Sequence, residues 1–261
     1  MSAPRSTLLP RLDGHWRDVA DRVRDSCHVA LFFDFDGTLV PLARRPTQVR
    51  LSAATRRALD KLARHSRVSL FVISGRRLGD LVRRVDVQGV RCLGLYGWER
   101  AARFPISGPT RAALVRAHAR LAPHEARYPG LWLEDKGVSL SIHLRELGPG
   151  ARREVRRDLG RLRARLEPSL HVIDNRLDIE LVPKAVAGKG AAVCRLLSAP
   201  RLVEALPVYF GDDLSDEPAF DAVRSGIAVL VGSRGPSRAH YAVPRRSALP
   251  AIIGRLELAL R

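Results

Sequence analysis

Five short apolar segments, residues 29–35, 68–74, 92–96, 207–210 and 226–231, are rich in β-branched residues, and each runs into a polar or glycine-rich turn. Segments of this length and composition read as strands. Several are separated by stretches in which apolar residues recur three and four positions apart, as over 53–63 and 189–197, the spacing of one helix face. Strands alternating with helices predict a parallel sheet in an α/β domain.

Between residues 109 and 181 the rhythm changes. A helical pattern over 111–121 precedes two strand-like stretches, 131–134 and 138–144, with the turn formers Asp135, Lys136 and Gly137 between them. A second helix over 151–166 precedes another pair, 170–173 and 177–181, joined around Asn175. This order is that of a small α+β module whose hairpins pair antiparallel. A chain of 261 residues has room for one core with such an insertion. The expected division is a core of residues 1–108 and 183–261 around an inserted module of residues 109–182.

Hydrophobic residues make up 46% and charged residues 28%, the balance of a globular protein and not of a disordered chain. The longest apolar runs, 29–33 and 68–73, are far shorter than a membrane span. Arg11, Asp13, Arg17 and Asp18 interrupt any secretory leader, so a cytoplasmic location is expected. Cys27, Cys92 and Cys194, at unrelated spacings, fit reduced thiols and neither a disulfide framework nor a clustered metal site.

A net charge of +18 raises the question of a polyanionic partner. The basic residues divide into 41 Arg and 4 Lys, and the arginines are spread along many helix-like segments instead of forming one block. They read as a compositional bias, and nucleic acid is not an expected partner. Three of the lysines, Lys136, Lys184 and Lys189, fall in the segments that carry the chemistry. A compact ammonium kept where the chain otherwise uses Arg points to a site that needs one, with chance placement as the alternative.

The most specific motif is Asp34-Phe35-Asp36-Gly37-Thr38-Leu39, at the end of the first apolar run. The carboxyl end of a strand in an open parallel sheet is where such folds place their sites. Two carboxylates two residues apart project to the same side of an extended chain, Gly37 lets it turn, and Thr38 adds a hydroxyl. This pairs a nucleophile with a proton donor, as covalent phosphoryl transfer requires. An acidic turn after a strand is the plainer alternative. Gly211-Asp212-Asp213-Leu214-Ser215-Asp216-Glu217 follows another apolar run and offers hard oxygen ligands suited to Mg²⁺. Ser74-Gly75-Arg76 follows a third strand with a hydroxyl and backbone donors, and Lys189-Gly190 opens a helix with an ammonium; each is weak alone.

Together, in this order, the four segments resemble the signature motifs of the haloacid dehalogenase superfamily of phosphatases. The resemblance implies a Rossmann-like parallel-sheet core with an inserted α+β cap, and a magnesium-dependent phosphatase. It implies Asp34 as nucleophile, Asp36 as general acid and base, and Thr38, Ser74, Gly75 and Lys189 at the phosphate. Asp34, Asp36, Asp212 and Asp213 would hold the metal, supported by Asp216.

Within the superfamily, Glu134-Asp135-Lys136-Gly137 followed by Ser139 and His143, then Glu180 with Pro183, and Gly211 to Glu217 followed by Phe220 resemble the trehalose-6-phosphate phosphatase family. This implies trehalose 6-phosphate as substrate, with Arg76, Glu134, Lys136 and Glu180 reading it. Ser215 replaces a usual Thr, Val182 stands where an Arg often precedes the Pro, and Tyr96 sits where His is common. These departures bear on sugar selection, with Lys184 available to replace the missing charge. Another sugar phosphate is the nearest alternative substrate, and a basic nucleic-acid-binding protein the alternative from another class. Oligomeric state is not encoded in any feature found.

Overall fold

The computed structural model of the protein describes residues 9–43, 49–99, 106–163, 168–175, 177–233 and 235–261. In chain order these form α1 (Trp16–Asp25), β1 (Val29–Asp34), α2 (Ala53–Ala63), β2 (Val68–Ile73), α3 (Leu78–Val85), β3 (Arg91–Leu93), α4 (Gly108–Arg127), β4 (Trp132–Asp135), β5 (Leu140–His143), α5 (Pro149–Arg163), β6 (Leu170–Asp174), β7 (Asp178–Pro183), α6 (Gly188–Leu197), β8 (Leu206–Gly211), α7 (Glu217–Ala222), β9 (Ile227–Val231), β10 (Tyr241–Val243) and α8 (Leu249–Ala259). They divide into two compact units, Met1–Ala102 with Gly188–Arg261, and Arg103–Ala187.

The first unit is built on a six-stranded sheet of order β10-β9-β8-β1-β2-β3, with every neighbouring pair parallel. β1 is buried along its whole length because its side chains alternate between two helix-covered layers. Val29, Leu31 and Phe33 pack with Val23 of α1, Leu59 of α2, Leu81 of α3 and Ile253 of α8. Ala30 and Phe32 point the other way, toward Val193 of α6 and Phe220 of α7. The chain leaves β1 for β2 and β3 on one side and returns through β8 on the other. Asp34 therefore ends a strand flanked by both branches, where strand order reverses.

The strand expected over 92–96 stops at Leu93. Leu95 and Tyr96 adopt left-handed backbone, φ 46° and 59°, in a short 3₁₀ turn. Such a conformation is costly for non-glycine residues and persists where the surroundings fix it. Here the amides of Leu95 and Tyr96 donate to the carbonyls of Arg76 and Ser74, both at 2.8 Å. The turn thus braces the segment that follows β2.

The second unit is a four-stranded antiparallel sheet of order β4-β5-β7-β6, with Leu133, Leu140, Ile142, Ile179 and Leu181 facing a core shared with Leu114 and Leu121 of α4 and Val155 of α5. Its element order is the one the sequence predicts. Ser107 caps α4, accepting from Thr110 N at 3.3 Å. α4 runs past Pro123 to Arg127, beyond the expected end at 121. Proline disfavours a helix interior. Tertiary contacts override it, since Tyr128 is buried just beyond the last turn and Glu125 accepts from Leu133 N at 2.8 Å. The expected helix over 151–166 is present to Arg163; residues 164–166 lie outside the described ones.

Candidate active site

The carboxyl ends of β1, β2 and β8 bring the motifs of the first unit together. Asp34 ends β1, Ser74 follows β2, Asp212 follows β8, and Lys189 stands in the first turn of α6. Lys189 Nζ donates to Asp34 Oδ1 at 2.6 Å and to Asp216 Oδ1 at 2.8 Å, with all three side chains buried. Burial works against the ammonium, but Asp216 and Asp34 outweigh it and hold Lys189 charged well above its usual range.

Asp216 is fully satisfied as a carboxylate. Its Oδ1 also accepts from Tyr209 Oη at 2.7 Å, and its Oδ2 accepts from the amides of Asp212 and Asp213 at 3.1 and 3.0 Å. It fixes the loop after β8. Asp213 is directed into that loop as well, capping the following turn through a bond from Leu214 N at 2.8 Å.

Asp34 is different. Its Oδ2 is buried and accepts no hydrogen bond among the described residues. One carboxylate oxygen each from Asp34, Asp212 and Asp216 lies within 4.8 Å of the others, a grouping that could hold a metal ion; Asp36 and Asp213 are outside it. Burial pushes the Asp34 carboxyl up, Lys189 opposes this, and Asp216 and Asp36 push it up again, to about 7. Burial, then Asp34 and Asp216, raise Asp212 well above the usual carboxylate range. A bare buried oxygen beside crowded carboxylates is costly unless a cation joins them. The donor set, all carboxylate oxygen, suits a hard divalent cation.

Gly37 makes the close approach possible. It has φ 95°, and a Cβ there would lie 2.1 Å from Asp212 Oδ2. Thr38, fully buried, donates to Asp212 Oδ1 at 3.2 Å. Asp36 is gripped by Arg76 with two bonds of 2.7 Å, Nε to Oδ2 and Nη2 to Oδ1, and Arg76 Nη1 reaches Asp80 at 2.8 Å. The guanidinium also lies over the Phe35 ring, 5.4 Å from its centroid. Arg76, expected at the substrate, is thus directed onto the second aspartate. Ser74 is buried and accepts from Arg76 N at 3.2 Å, while Gly75 lies against the Tyr96 ring.

In the second unit the sheet face opposite the core carries Glu134, Ser141, His143, Asp178 and Glu180, as the register pairs Glu134 and Glu180 with Ser141, and Asp178 with His143. Glu180 Oε1 accepts from Lys136 Nζ at 3.0 Å and from Ser139 Oγ at 2.8 Å. The three residues expected to read the sugar, Glu134, Lys136 and Glu180, therefore belong to one face or its turn. Val182, where the expected pattern departs, is buried, and Lys184 is exposed beyond β7. Tyr209 and Asp178 escaped the sequence reading. Their signals were a phenol inside a wholly apolar strand, which must find a partner, and an acid two residues before Glu180 on the same face.

A family model described as Trehalose-phosphatase matches residues 32–246. The trehalose-phosphate phosphatase of Mycobacterium avium is 34% identical over 209 residues, covering 76% of this chain and 52% of that protein. This chain thus spans about half the length of the mycobacterial relatives it matches. The probable trehalose-phosphate phosphatase of Sinorhizobium fredii is 31% identical over 236 residues, 88% of both chains. The solved C-terminal domain of C. albicans trehalose-6-phosphate phosphatase superposes with a TM-score of 0.83 at 21% identity, over 97% of this chain and 99% of that one, so the fold is shared. By the family match and these relatives, the chain belongs to the trehalose-phosphatase family.

Proposed function

We propose that this protein hydrolyses trehalose 6-phosphate to trehalose and phosphate through an aspartyl-phosphate on Asp34, with Mg²⁺ as cofactor. The observation that carries the reading is the bare, buried Asp34 Oδ2 at the carboxyl end of the central strand, beside Asp212 and with its other oxygen held by Lys189. The family names of its relatives support the substrate.

Asp34 and Asp212 would hold Mg²⁺, with the Asp36 carbonyl as the family resemblance implies and Asp213 close by. When bound, the ion supplies the charge neutralisation that lets a carboxylate approach a phosphate dianion. Lys189 fixes the Asp34 carboxylate for in-line attack. As the Asp34–phosphorus bond forms and the bond from phosphorus to the sugar oxygen breaks, Asp36 gives its proton to that oxygen. Asp36 then takes a proton from the water that attacks phosphorus, releasing phosphate and restoring Asp34. In the observed arrangement both Asp36 oxygens accept from Arg76, so proton delivery requires Asp36 to turn partly out of that fork. Thr38, Ser74, the Gly75 backbone and Lys189 bind phosphate oxygens.

Glu134, Lys136 and Glu180 read the sugar hydroxyls. Ser141 Oγ, buried between the two glutamates with no partner among the described residues, offers a further place for one. The second unit, which contains the expected module of residues 109–182, is thereby the substrate-recognition cap, and the first unit the phosphatase core. Three free thiols fit a cytoplasmic enzyme. No helix among the described residues is long and apolar enough to cross a membrane.

Phosphate release from trehalose 6-phosphate, with Mg²⁺ and with EDTA, is the direct test. Turnover on other sugar phosphates with none on trehalose 6-phosphate would reject the substrate. Full turnover in EDTA would reject the cofactor.

A further inference from the structure

His143 stands between two carboxylates. Its Nδ1 is 2.7 Å from Asp178 Oδ1 on β7, and its Nε2 is 2.9 Å from Glu134 Oε2 on β4. Ionised carboxylate oxygens only accept, so a neutral imidazole, with one bare nitrogen, could satisfy only one of these contacts. Both distances are met when both ring nitrogens donate. Only the imidazolium offers both donors, and it is the form that the raised pKa of His143 favours.

The surroundings are arranged to keep it so. Arg145 grips Asp178 Oδ2 with Nε at 3.0 Å and Nη2 at 2.7 Å, which holds that carboxylate ionised and pointed at the ring. Trp132 stacks on the imidazole with centroids 4.4 Å apart and planes 17° apart, a favourable face for a cation. Of the groups facing the ring, Glu134 and Asp178 favour its charge and Lys136 opposes it. Burial alone would lower the His143 pKa, but the bonds to Asp178 and Glu134 prevail and raise it above 6.5. Asp178 is correspondingly held below the usual range: burial would raise it, and His143 and Arg145 outweigh that.

The geometry points to His143 as a positioning residue for substrate recognition: as an imidazolium anchored by Asp178, Arg145 and Trp132, it aims the Glu134 carboxylate that accepts from sugar hydroxyls. The inference rests on the sugar-reading role proposed above for Glu134. The Glu134 side chain is 30% exposed and that of His143 10%, so the carboxylate can meet a ligand while its orientation is set from beneath. Loss of the ring proton removes one of the two donors, and with Nδ1 kept by Asp178 the hold of Nε2 on Glu134 is weakened. Selectivity for the sugar, and not phosphate chemistry, should then fade as pH rises.

Two measurements test this. In the full-length protein labelled with ¹⁵N-histidine, the His143 ring is identified as the resonance missing from His143→Gln and titrated without substrate. Both nitrogens should stay protonated past pH 6.5. A neutral ring at pH 6.5 or below overturns the proposal. Separately, kcat/KM is measured against pH for trehalose 6-phosphate and for 4-nitrophenyl phosphate. Above about pH 7 both phosphates are dianions. Since only the sugar alkoxide needs the Asp36 proton to leave, a fall in the ratio counts for the ring only where it is absent from His143→Gln or shifted in Asp178→Asn.

The ratio should fall as pH rises through the ring's titration, and the inflection should move to lower pH in Asp178→Asn. His143→Gln should lose roughly tenfold to a hundredfold more on trehalose 6-phosphate than on the aryl phosphate, chiefly in KM. Equal losses on both substrates, or a ratio flat with pH in the wild type, overturn it. If His143→Gln does not fold, Asp178→Asn still decides, since the ring is then identified as the histidine whose titration that variant moves to lower pH. No turnover of trehalose 6-phosphate by the wild type sinks the substrate assignment and the recognition role together, whereas the ring titration reads the charge state independently of either.

Discussion

Lys189 Nζ lies 2.6 Å from Asp34 Oδ1, and neither side chain is more than 6% exposed. The same ammonium serves Asp216, so removing it strands two buried carboxylates. Breaking a buried ion pair by deleting one partner costs roughly 3–5 kcal/mol. Lys189→Met should lose stability on that order, read from urea midpoints, along with all turnover. A variant as stable as the wild type would mean that the pair is not a structural necessity.

Asp212 and Asp216 are close in sequence and opposite in expected effect. Asp216 accepts four bonds, from Lys189, Tyr209 and two backbone amides, and Asp216→Asn cannot keep them all. It should destabilise the protein in EDTA. Asp212→Asn removes a carboxylate crowded against Asp34 and should stabilise the metal-free protein while losing its response to Mg²⁺. Wild-type protein at an Mg²⁺ concentration 100 times its Kd should gain about 2.7 kcal/mol. Thermal melts of the three proteins in EDTA and in rising Mg²⁺ check this. Identical Mg²⁺ responses in wild type and Asp212→Asn would remove Asp212 from the metal site.

Much of this arrangement was legible because strand ends carry the chemistry. The apolar run ending at Asp34 marked the central strand, and the same rule located Ser74 and Asp212 beside it. What escaped were properties of approach in space. Nothing near Arg76 in the sequence indicates that its guanidinium turns onto Asp36, forty residues earlier, because that contact arises when β1 and β2 pair. The left-handed turn at Leu95 and Tyr96 was hidden for a related reason. Apolar side chains suggested a strand, whereas the carbonyls of Ser74 and Arg76, with the bonds between Gly94 and Glu99, hold the chain in a turn. Likewise Asp178 became visible as the partner of His143 only once β5 and β7 were in register.

Asp36 and Arg76 should be separable by kinetics. Asp36→Asn removes the proton donor and should lower kcat by roughly 10²–10⁴ while substrate still binds. Arg76→Lys cannot reproduce the two-bonded grip on Asp36 or the stack on Phe35. It should lower kcat on every phosphomonoester and change KM for trehalose 6-phosphate less. If Arg76→Lys instead raised KM for trehalose 6-phosphate alone, Arg76 would be a reader of the substrate, as the family resemblance implies.

Lys136 offers the cleanest division between recognition and chemistry. Its ammonium binds Glu180 at 3.0 Å, within the same unit as Glu134 and remote in sequence from the phosphate motifs. Lys136→Ala should impair trehalose 6-phosphate far more than 4-nitrophenyl phosphate, which presents no sugar hydroxyls. Parallel kcat/KM measurements decide, and equal losses would exclude a sugar-reading role.

The His143–Asp178 contact should also appear in folding stability as a function of pH. His143 has a folded pKa raised above 6.5, so its contribution is complete below 6.5 and is lost as pH rises through the folded value. Asp178 has a folded pKa lowered below 3.8, so its contribution is complete above 3.8 and is lost as pH falls through the folded value. Both are therefore fully present only between about 3.8 and 6.5. The stability difference between wild type and His143→Gln, from urea unfolding at a series of pH values, should be greatest in that window and shrink on the alkaline side first. A difference that grows with pH above 6.5 would require the neutral ring to be the stabilising form, contrary to the two carboxylates that face it.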